Sequence, residues 1–186
     1  MATADYLVHI RSESCFAALC DEGSPANKPG TMKQAEEAGR RAAPRPEEQE
    51  SYALGYRHRQ MLQSVQQGDL IVWMLALEGT YRAVAEIVAP EVALELPPAE
   101  DLVGATLGAD LVCPTGRLVV TCLSRLGEPQ RPLIVLDPGI YRVVLDRDLD
   151  QEVQSEMARI TGRHPKGGRP DWRLRFQRLG PCVEGG

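Results

Sequence analysis

The basic residues near the C-terminus are the first group whose types and spacing could support binding. Residues 159–178 include seven lysines and arginines and one acidic residue, which leaves 14 basic and 25 acidic residues elsewhere. Arg173 and Arg175 alternate with apolar residues, so a strand here places both guanidinium groups on one face. Such a face binds phosphates or an acidic protein, or else is a solvated face that protects an edge strand from aggregation. The predicted contact residues are Arg163, Lys166, Arg169, Trp172, Arg173 and Arg175.

The cysteines and histidines show no arrangement typical of a metal centre or a nucleophile. Five cysteines, an odd number, include no C-x-x-C pair, and they are interpreted as small buried side chains in a reducing compartment. His9, Cys15 and Cys20 form the closest set, and their spacing matches no zinc pattern. We therefore expect no metal and no cofactor. The chain also lacks the G-x-S-x-G, P-loop, G-x-G-x-x-G and H-E-x-x-H signatures, so no catalytic residue is assigned.

Length and composition place the chain among ordinary globular proteins. With 186 residues and 43% hydrophobic residues, one domain over 1–186 is expected. Residues 21–46 are rich in Pro, Gly, Ala and charge, which predicts a flexible excursion with room for a short helix over Met32 to Ala42. The net charge of −5 argues against nucleic-acid binding over the whole surface. No run is apolar enough for a membrane span and the N-terminus does not resemble a secretory signal, so a cytoplasmic protein without a membrane partner is expected.

Two helices are predicted around the strands. The first covers Pro46 to Gln66, with proline and glutamates in its first turn and Gly68 after its end. The second covers Asp148 to Thr161, where Asp148 caps the start. Its apolar stripe is predicted to pack on the sheet and consists of Leu149, Val153, Met157 and Ile160.

Alternating or continuous apolar runs predict strands through the rest of the chain. Residues 5–20 are one bent strand or two short ones, 91–98 is an edge strand, and 171–179 is the last strand. Further strands are predicted within 68–77, 80–89, 109–124, 133–136 and 140–145. The pattern indicates a mainly β protein with accessory helices, an antiparallel β-sandwich or barrel.

Two of these strand pairs are predicted to be hairpins. Strands 133–136 and 140–145 would join through Pro138 and Gly139 in a type II turn, in which the glycine takes a positive φ. Strands 68–77 and 80–89 would join at Glu78-Gly79. The first of these is apolar on both faces, which favours a central position.

The C-terminal half resembles bacterial β-sandwich proteins of the competence-protein-J and immunity-protein kind. The resemblance covers about the last 75 residues and is a structural pattern without a catalytic residue. The helix 148–161 and the segment 21–66 are departures from that pattern. The matching residues are Gly116, Leu118, Val120, Pro138, Gly139, Tyr141, Arg142, Val143, Trp172, Leu174 and Phe176. The resemblance implies a protein that binds another protein and inhibits it.

Residues 56–88 are similar to a module of PUA-like domains, the EVE type in particular. In those domains a helix ends at a Gly-Asp turn, here Gly68-Asp69, and the following strands wall a pocket for a modified base. The resemblance implies a nucleic-acid pocket formed by Arg57, Arg59, Trp73 and Tyr81.

We therefore expect a non-catalytic binding module for a protein partner, of the immunity or inhibitor type, in a bacterial system. One alternative is a PUA-like nucleic-acid reader, so nucleic acid is the second candidate partner. Another is an enzyme whose site carries no recognised motif, since a Cys–His or Ser–His pair stays open with three histidines in the chain.

Overall fold

The structure, a computed structural model, describes residues 3–10, 16–75, 79–97, 108–129, 132, 134–161 and 170–182. These residues form nine strands and three α-helices. The strands are β1 (Thr3–Ile10), β2 (Phe16–Asp21), β3 (Ile71–Met74), β4 (Gly79–Ile87), β5 (Gly108–Cys113), β6 (Arg117–Cys122), β7 (Ile134–Val135), β8 (Gly139–Arg147) and β9 (Trp172–Gly180). The helices are α1 (Thr31–Ala42), α2 (Gln49–Gln66) and α3 (Leu149–Ile160).

The strands form two sheets. One has five strands in the order β1-β4-β9-β8-β5, and the other has four in the order β3-β2-β6-β7. The paired strands are antiparallel except β4 and β9, which run parallel with Ala83 opposite Trp172. The predicted mainly β fold with accessory helices is confirmed in its sandwich form, since the described strands do not close into a barrel.

Two layers of apolar side chains hold the fold together. Inward-facing residues of both sheets form the larger core, and β2 contributes Ala17 and Leu19 to it. The alternate residues Ala18 and Cys20 belong to a second core, which lies on the other face of the four-stranded sheet and includes Met32 of α1 and Met61 of α2. Strand β2 is buried on both faces because its sheet lies between the five-stranded sheet on one side and helices α1 and α2 on the other.

Neither predicted hairpin forms. Strand β7 pairs with β6 in the four-stranded sheet, whereas β8 pairs with β5 and β9 in the five-stranded sheet. The segment at Pro138 therefore crosses between sheets. Gly139 does not have the predicted positive φ, which among the described glycines occurs at Gly30, Gly68, Gly116 and Gly127. In the same way β3 pairs with β2 while β4 pairs with β1 and β9, and residues 76–78 lie outside the described part.

Two further strand predictions are wrong. Strand β3 lies at the edge of its sheet, and its two faces are apolar because one lies against the inter-sheet core and the other against the helices. Residues 91–97 form no strand in the structure. Gln177 of β9 donates its side-chain amide to the carbonyls of Ala89, Pro90 and Val92, which attaches this segment to the five-stranded sheet.

The helix predicted over Pro46 to Gln66 and the segment 21–46 before it form a pair of packed helices. The helix predicted from Pro46 begins as a 3-10 turn at Pro46–Glu48 and continues as α2. Within 21–46 the chain forms α1, which matches the short helix proposed there; the flexibility of this segment stays a prediction. The two helices approach closely at Gly39, where a Cβ atom would lie 2.5 Å from the carbonyl oxygen of Tyr52.

The predicted burial of the cysteines is confirmed for three of the five residues. Cys20, Cys113 and Cys122 are buried and carry free thiols, while Cys182 is partly exposed. Burial raises the pKa of the Cys20 thiol to about 12. The Cys20 thiol is therefore a core side chain and a poor nucleophile. Cys15 lies outside the described residues.

Candidate functional site

The aromatic residues predicted for the two binding surfaces lie together in the inter-sheet core. The rings of Tyr81 and Trp172 are stacked with centroids 4.5 Å apart, and Trp73 meets Trp172 edge to face at 5.2 Å. All three side chains are buried. Trp73 and Tyr81 therefore contribute packing energy to the core and present no open ring to a base, and Trp172 is not a surface contact residue.

The two arginines of the alternative pocket lie on the opposite side of the four-stranded sheet. Arg57 donates from Nη1 to Oε1 of Glu36 on α1 at 3.0 Å. The Arg59 guanidinium lies over the Tyr56 ring, 4.2 Å from its centroid. Since Trp73 faces the inter-sheet core and α2 packs on the outer face of this sheet, the structure does not bring these arginines together with Trp73 and Tyr81.

Arg57 does line a cleft, of about 250 Å³, between the start of α1 and the segment after β6. The charges in it are largely compensated, because Arg57 pairs with Glu36 at 3.0 Å and Glu128 pairs with Arg125 at 2.7 Å. The cleft is lined by Pro29, Gly30, Met32, Lys33, Glu36, Arg57, Ser124, Leu126, Gly127 and Glu128.

The predicted basic surface is only partly within the described residues, since Arg163, Lys166 and Arg169 lie outside them. Arg173 and Arg175 lie on the face of β9 opposite the core, as predicted, but each has an acidic neighbour on the next strand. Arg173 is 3.4 Å from Glu86 of β4, and Arg175 is 2.8 Å from Asp146 of β8. These cross-strand ion pairs reduce the positive potential that the sequence alone indicated.

Helix α3 has the most unusual surface in the described part of the chain. Its apolar stripe faces outward: Leu149 is 55% exposed, Val153 40%, Met157 52% and Ile160 64%. The prediction that this stripe packs on the sheet is therefore wrong. We call these four residues the α3 stripe.

A buried carboxylate explains why α3 is oriented in this way. Glu152 is 0% exposed, and its two oxygens accept hydrogen bonds from Arg147 Nε at 2.8 Å and Nη2 at 2.6 Å. Glu152 Oε1 also accepts from the indole nitrogen of Trp172 at 2.9 Å. These partners lie at the end of β8 and the start of β9, so the polar side of α3 is held against the sandwich and the apolar side is left outside.

The same arginine connects α3 to the other sheet. Arg147 Nη1 donates to the backbone carbonyl of Met74, the last residue of β3. The Met74 side chain is itself 49% exposed, so a further apolar side chain lies at this end of the molecule. Grouped apolar exposure of this kind is typical of interaction sites, whereas single exposed apolar residues are ordinary.

Two further findings concern metal ligands and membrane-spanning helices in the described part of the chain. No group of three or more His, Cys, Asp or Glu residues there could hold a metal ion. None of the described helices combines the length and the apolar character that crossing a membrane requires.

Comparison with known proteins gives information about the fold and not about the function. No protein-family model and no curated protein matches the chain. A solved structure described as "Crocagin biosynthetic gene J" is similar, with a TM-score of 0.61 and 16% identity over 96% of this chain and 97% of that chain. At this identity the similarity shows a shared fold over nearly the whole length of both chains.

Sequence reasoning missed the two residues that orient the site, Arg147 and Glu152. The apolar periodicity of α3 was visible, but it does not say which side of the helix faces the core. A glutamate beside an apolar stripe is ordinary on a helix surface. The long-range partners of Glu152 on β8 and β9 become apparent only in the folded chain.

Proposed function

We propose that this protein is a protein-binding module and that the α3 stripe is its contact surface. One observation carries the proposal. The helix places four large apolar side chains in solvent while it buries a glutamate, the reverse of the arrangement expected for a helix that serves only its own core.

The stripe has free energy to contribute to an interface. Full burial of a Leu, Val, Met or Ile side chain is worth about 1.5–3 kcal/mol. The four side chains are between 40% and 64% exposed, so covering them would contribute roughly 4 kcal/mol in total at about half of that value each. An interface core of this kind supplies affinity, while the polar residues around it supply specificity.

The shape of the surface favours a helix from another protein as the occupant. The stripe extends over about 16 Å along α3, three turns at 1.5 Å per residue, and its members recur every three or four positions. Ridges of this spacing pack against a second helix. Small molecules instead require a concave site. The phosphates of nucleic acid require cations, whereas the exposed charged residues at the start of α3 are Asp148 and Asp150.

The proposal keeps the class of function expected from the sequence and moves its surface. The basic residues Arg173 and Arg175 are paired with acidic neighbours, so we do not propose them as the contact. An inhibitor-type role, which the resemblance to immunity proteins implies, would mean that the partner loses activity when it covers α3.

The experiment compares tagged variants of the full chain as baits in lysate with and without nuclease treatment. Met157→Lys places a charge in the middle of the stripe and should lose the partner that the unmodified chain captures. Val135→Lys makes the same kind of change at a residue that is 68% exposed on β7, and should retain it. The double variant Arg173→Glu with Arg175→Glu should retain it as well.

A partner kept by Met157→Lys and lost by the double arginine variant would contradict this proposal and restore the basic face as the contact. Capture that disappears after nuclease treatment would favour the nucleic-acid reader. Circular dichroism of each variant establishes that a loss of capture does not come from unfolding.

A further inference from the structure

We propose that Arg147 and Trp172 form a carboxylate-binding site that the chain fills with its own Glu152, and that an external carboxylate displaces Glu152 and releases α3. The inference concerns the buried side of α3 and goes beyond the proposed function, which concerns the exposed stripe. It follows from the way in which α3 is attached. Among the α3 residues whose side chains the structure describes, Glu152 alone is buried.

The groups around Glu152 have the geometry of a carboxylate receptor. Arg147 Nε and Nη2 donate to different oxygens of Glu152, at 2.8 and 2.6 Å, which is the bidentate arrangement that guanidinium and carboxylate groups form. The Trp172 indole supplies a third donor at 2.9 Å. The Met74 carbonyl accepts from Arg147 Nη1 and holds the guanidinium in position. Arg147, Trp172 and Met74 all belong to strands, so this site remains in place when α3 leaves.

Helix α3 has few of the apolar contacts that fix an ordinary surface helix. The residues of the α3 stripe are between 40% and 64% exposed, and of its other described side chains Asp150 and Gln154 are exposed and Ala158 is partly buried. Among the described residues, the attachment of α3 therefore depends on the hydrogen bonds of one carboxylate. A buried ion pair adds little net stability, because both charges are desolvated. Elements with few buried apolar contacts open without unfolding of the rest, so we expect α3 to open while both sheets stay intact.

Exchange of one carboxylate for another avoids the main cost of opening. If α3 leaves alone, Arg147 loses its counter-ion at a position that is 11% exposed. If an external carboxylate enters, the guanidinium stays paired and Glu152 regains its hydration in solvent. The indole nitrogen of Trp73, whose ring meets Trp172, is buried and has no hydrogen-bond partner among the described residues. A ligand with a second acceptor beside its carboxylate gains a hydrogen bond there that Glu152 does not make.

The first test removes the Glu152 carboxylate and returns it from solution. Glu152→Ala deletes the end of the side chain, and acetate is the free molecule that matches the deleted group. We expect acetate to bind this variant with a dissociation constant of about 20 mM, because a ligand of four non-hydrogen atoms binds weakly. At about 200 mM, sodium acetate should therefore raise the unfolding temperature of Glu152→Ala above its value in sodium chloride of equal concentration.

Two controls assign this effect to the site. Acetamide has nearly the shape of acetate without its charge, and it should not raise the unfolding temperature. Arg147→Met combined with Glu152→Ala lacks the guanidinium, and it should respond to acetate and to chloride equally.

The second test uses the unmodified chain and measures hydrogen exchange of the α3 amides. A ligand that binds the open state increases its population by a factor of one plus the ratio of ligand concentration to dissociation constant. At ten times the dissociation constant, acetate should accelerate exchange in α3 about tenfold relative to sodium chloride. The amides of β8 and β9 should exchange at the same rate in both salts.

A free organic acid and a glutamate side chain of another protein present the same carboxylate, and a second probe separates these two sources. Glutamate blocked at both its amino and carboxyl termini presents a carboxylate as a protein side chain does. Acceleration by acetate alone would assign the site to a small organic acid. Acceleration by both probes would support a site that also accepts a protein side chain.

The outcomes decide the two parts of the proposal separately. Acetate that stabilises Glu152→Ala no more than the double variant would overturn the carboxylate site. Acetate that binds Glu152→Ala but leaves exchange in α3 of the unmodified chain unchanged would overturn the displacement, and equal acceleration in α3 and β9 would do the same. If Glu152→Ala does not fold, the exchange rates of the unmodified chain in acetate and chloride decide both parts. None of these measurements depends on whether a partner covers the α3 stripe.

Discussion

Replacement of Glu152 by glutamine tests whether a single buried carboxylate orients α3. Glutamine has nearly the same size and keeps an oxygen that can accept from the Trp172 indole. It removes the negative charge and one of the two oxygens that Arg147 engages. The change therefore leaves a guanidinium that is 11% exposed without its counter-ion.

The expected cost follows from the burial of both partners. Removing one member of a buried ion pair typically costs about 3–5 kcal/mol, because the remaining charge is left desolvated. We expect about 3 kcal/mol for Glu152→Gln, at the lower end, because Arg147 keeps the Met74 carbonyl and the indole keeps an acceptor. With a urea m-value of about 2 kcal/mol/M, this corresponds to a midpoint lowered by roughly 1.5 M.

Urea unfolding followed by tryptophan fluorescence measures this change, since the two tryptophans are buried and in contact. Asp150→Asn is the matched control, because Asp150 is exposed on the same helix, and it should change stability by less than about 0.5 kcal/mol. Arg147→Met combined with Glu152→Met should cost less than the sum of the two single changes, because it leaves no unpaired buried charge. The reasoning is refuted if Glu152→Gln costs under about 1 kcal/mol, or if the two single costs simply add.

Three other predictions concern packing, ionisation and a hydrogen bond to a buried carboxylate. Gly39→Ala should lower the free energy of unfolding by about 1–3 kcal/mol, because its Cβ would lie 2.5 Å from the Tyr52 carbonyl oxygen. Gly55→Ala in α2 should instead raise the free energy of unfolding by about 0.5–1 kcal/mol, because its Cβ would meet nothing within 4 Å. Thermal unfolding of both variants checks this, and equal shifts in the unfolding temperature would contradict it. Burial raises the pKa of Cys20 from 9.0 to about 12. Between pH 9 and 12 the thiol therefore loses its proton in the unfolded chain and keeps it in the folded chain. The contribution of Cys20 to the free energy of unfolding is complete below pH 9 and is lost as the pH rises through this range. In urea unfolding at pH 8, 9 and 10, the free energy of unfolding should fall more steeply with pH for the unmodified chain than for Cys20→Ala. Parallel pH dependences of the two proteins would contradict this prediction. Thr115→Val should cost about 1–3 kcal/mol in urea unfolding, since the Thr115 hydroxyl donates to the buried carboxylate of Asp21 at 2.7 Å, and a loss under about 0.5 kcal/mol would show that this bond is dispensable.

Local structure was predictable because its signals lie close together in the chain. The apolar spacing and end residues of α2 and α3, and the alternation in β9, placed these elements to within three residues at each end. The mainly β sandwich followed from such elements taken together. Periodicity of this kind depends on neighbouring residues and needs no knowledge of the partner surface.

Strand pairing was less predictable, because a turn signal shows that the chain reverses and does not show which sheet it enters. Pro138-Gly139 does mark a change of direction, but the strands on either side belong to different sheets. The pairing is decided by which apolar faces fit together: Ile134 pairs opposite Leu118 of β6, while Tyr141 and Val143 face the inter-sheet core from β8. Such choices depend on contacts that are distant in sequence.

The candidate site was the least predictable feature, and the reason is physical. An amphipathic helix can turn its apolar stripe toward its own sheet or toward a partner, and both satisfy the same periodicity. The orientation depends on whether the polar side of the helix makes more favourable contacts with the rest of the protein than the apolar side would. Here Glu152 accepts hydrogen bonds from a guanidinium and an indole N–H at the end of the sandwich. Turning the stripe inward would leave Arg147 without its counter-ion and would expose the carboxylate. The ion pair therefore orients α3 and, by doing so, keeps the apolar stripe available to another protein.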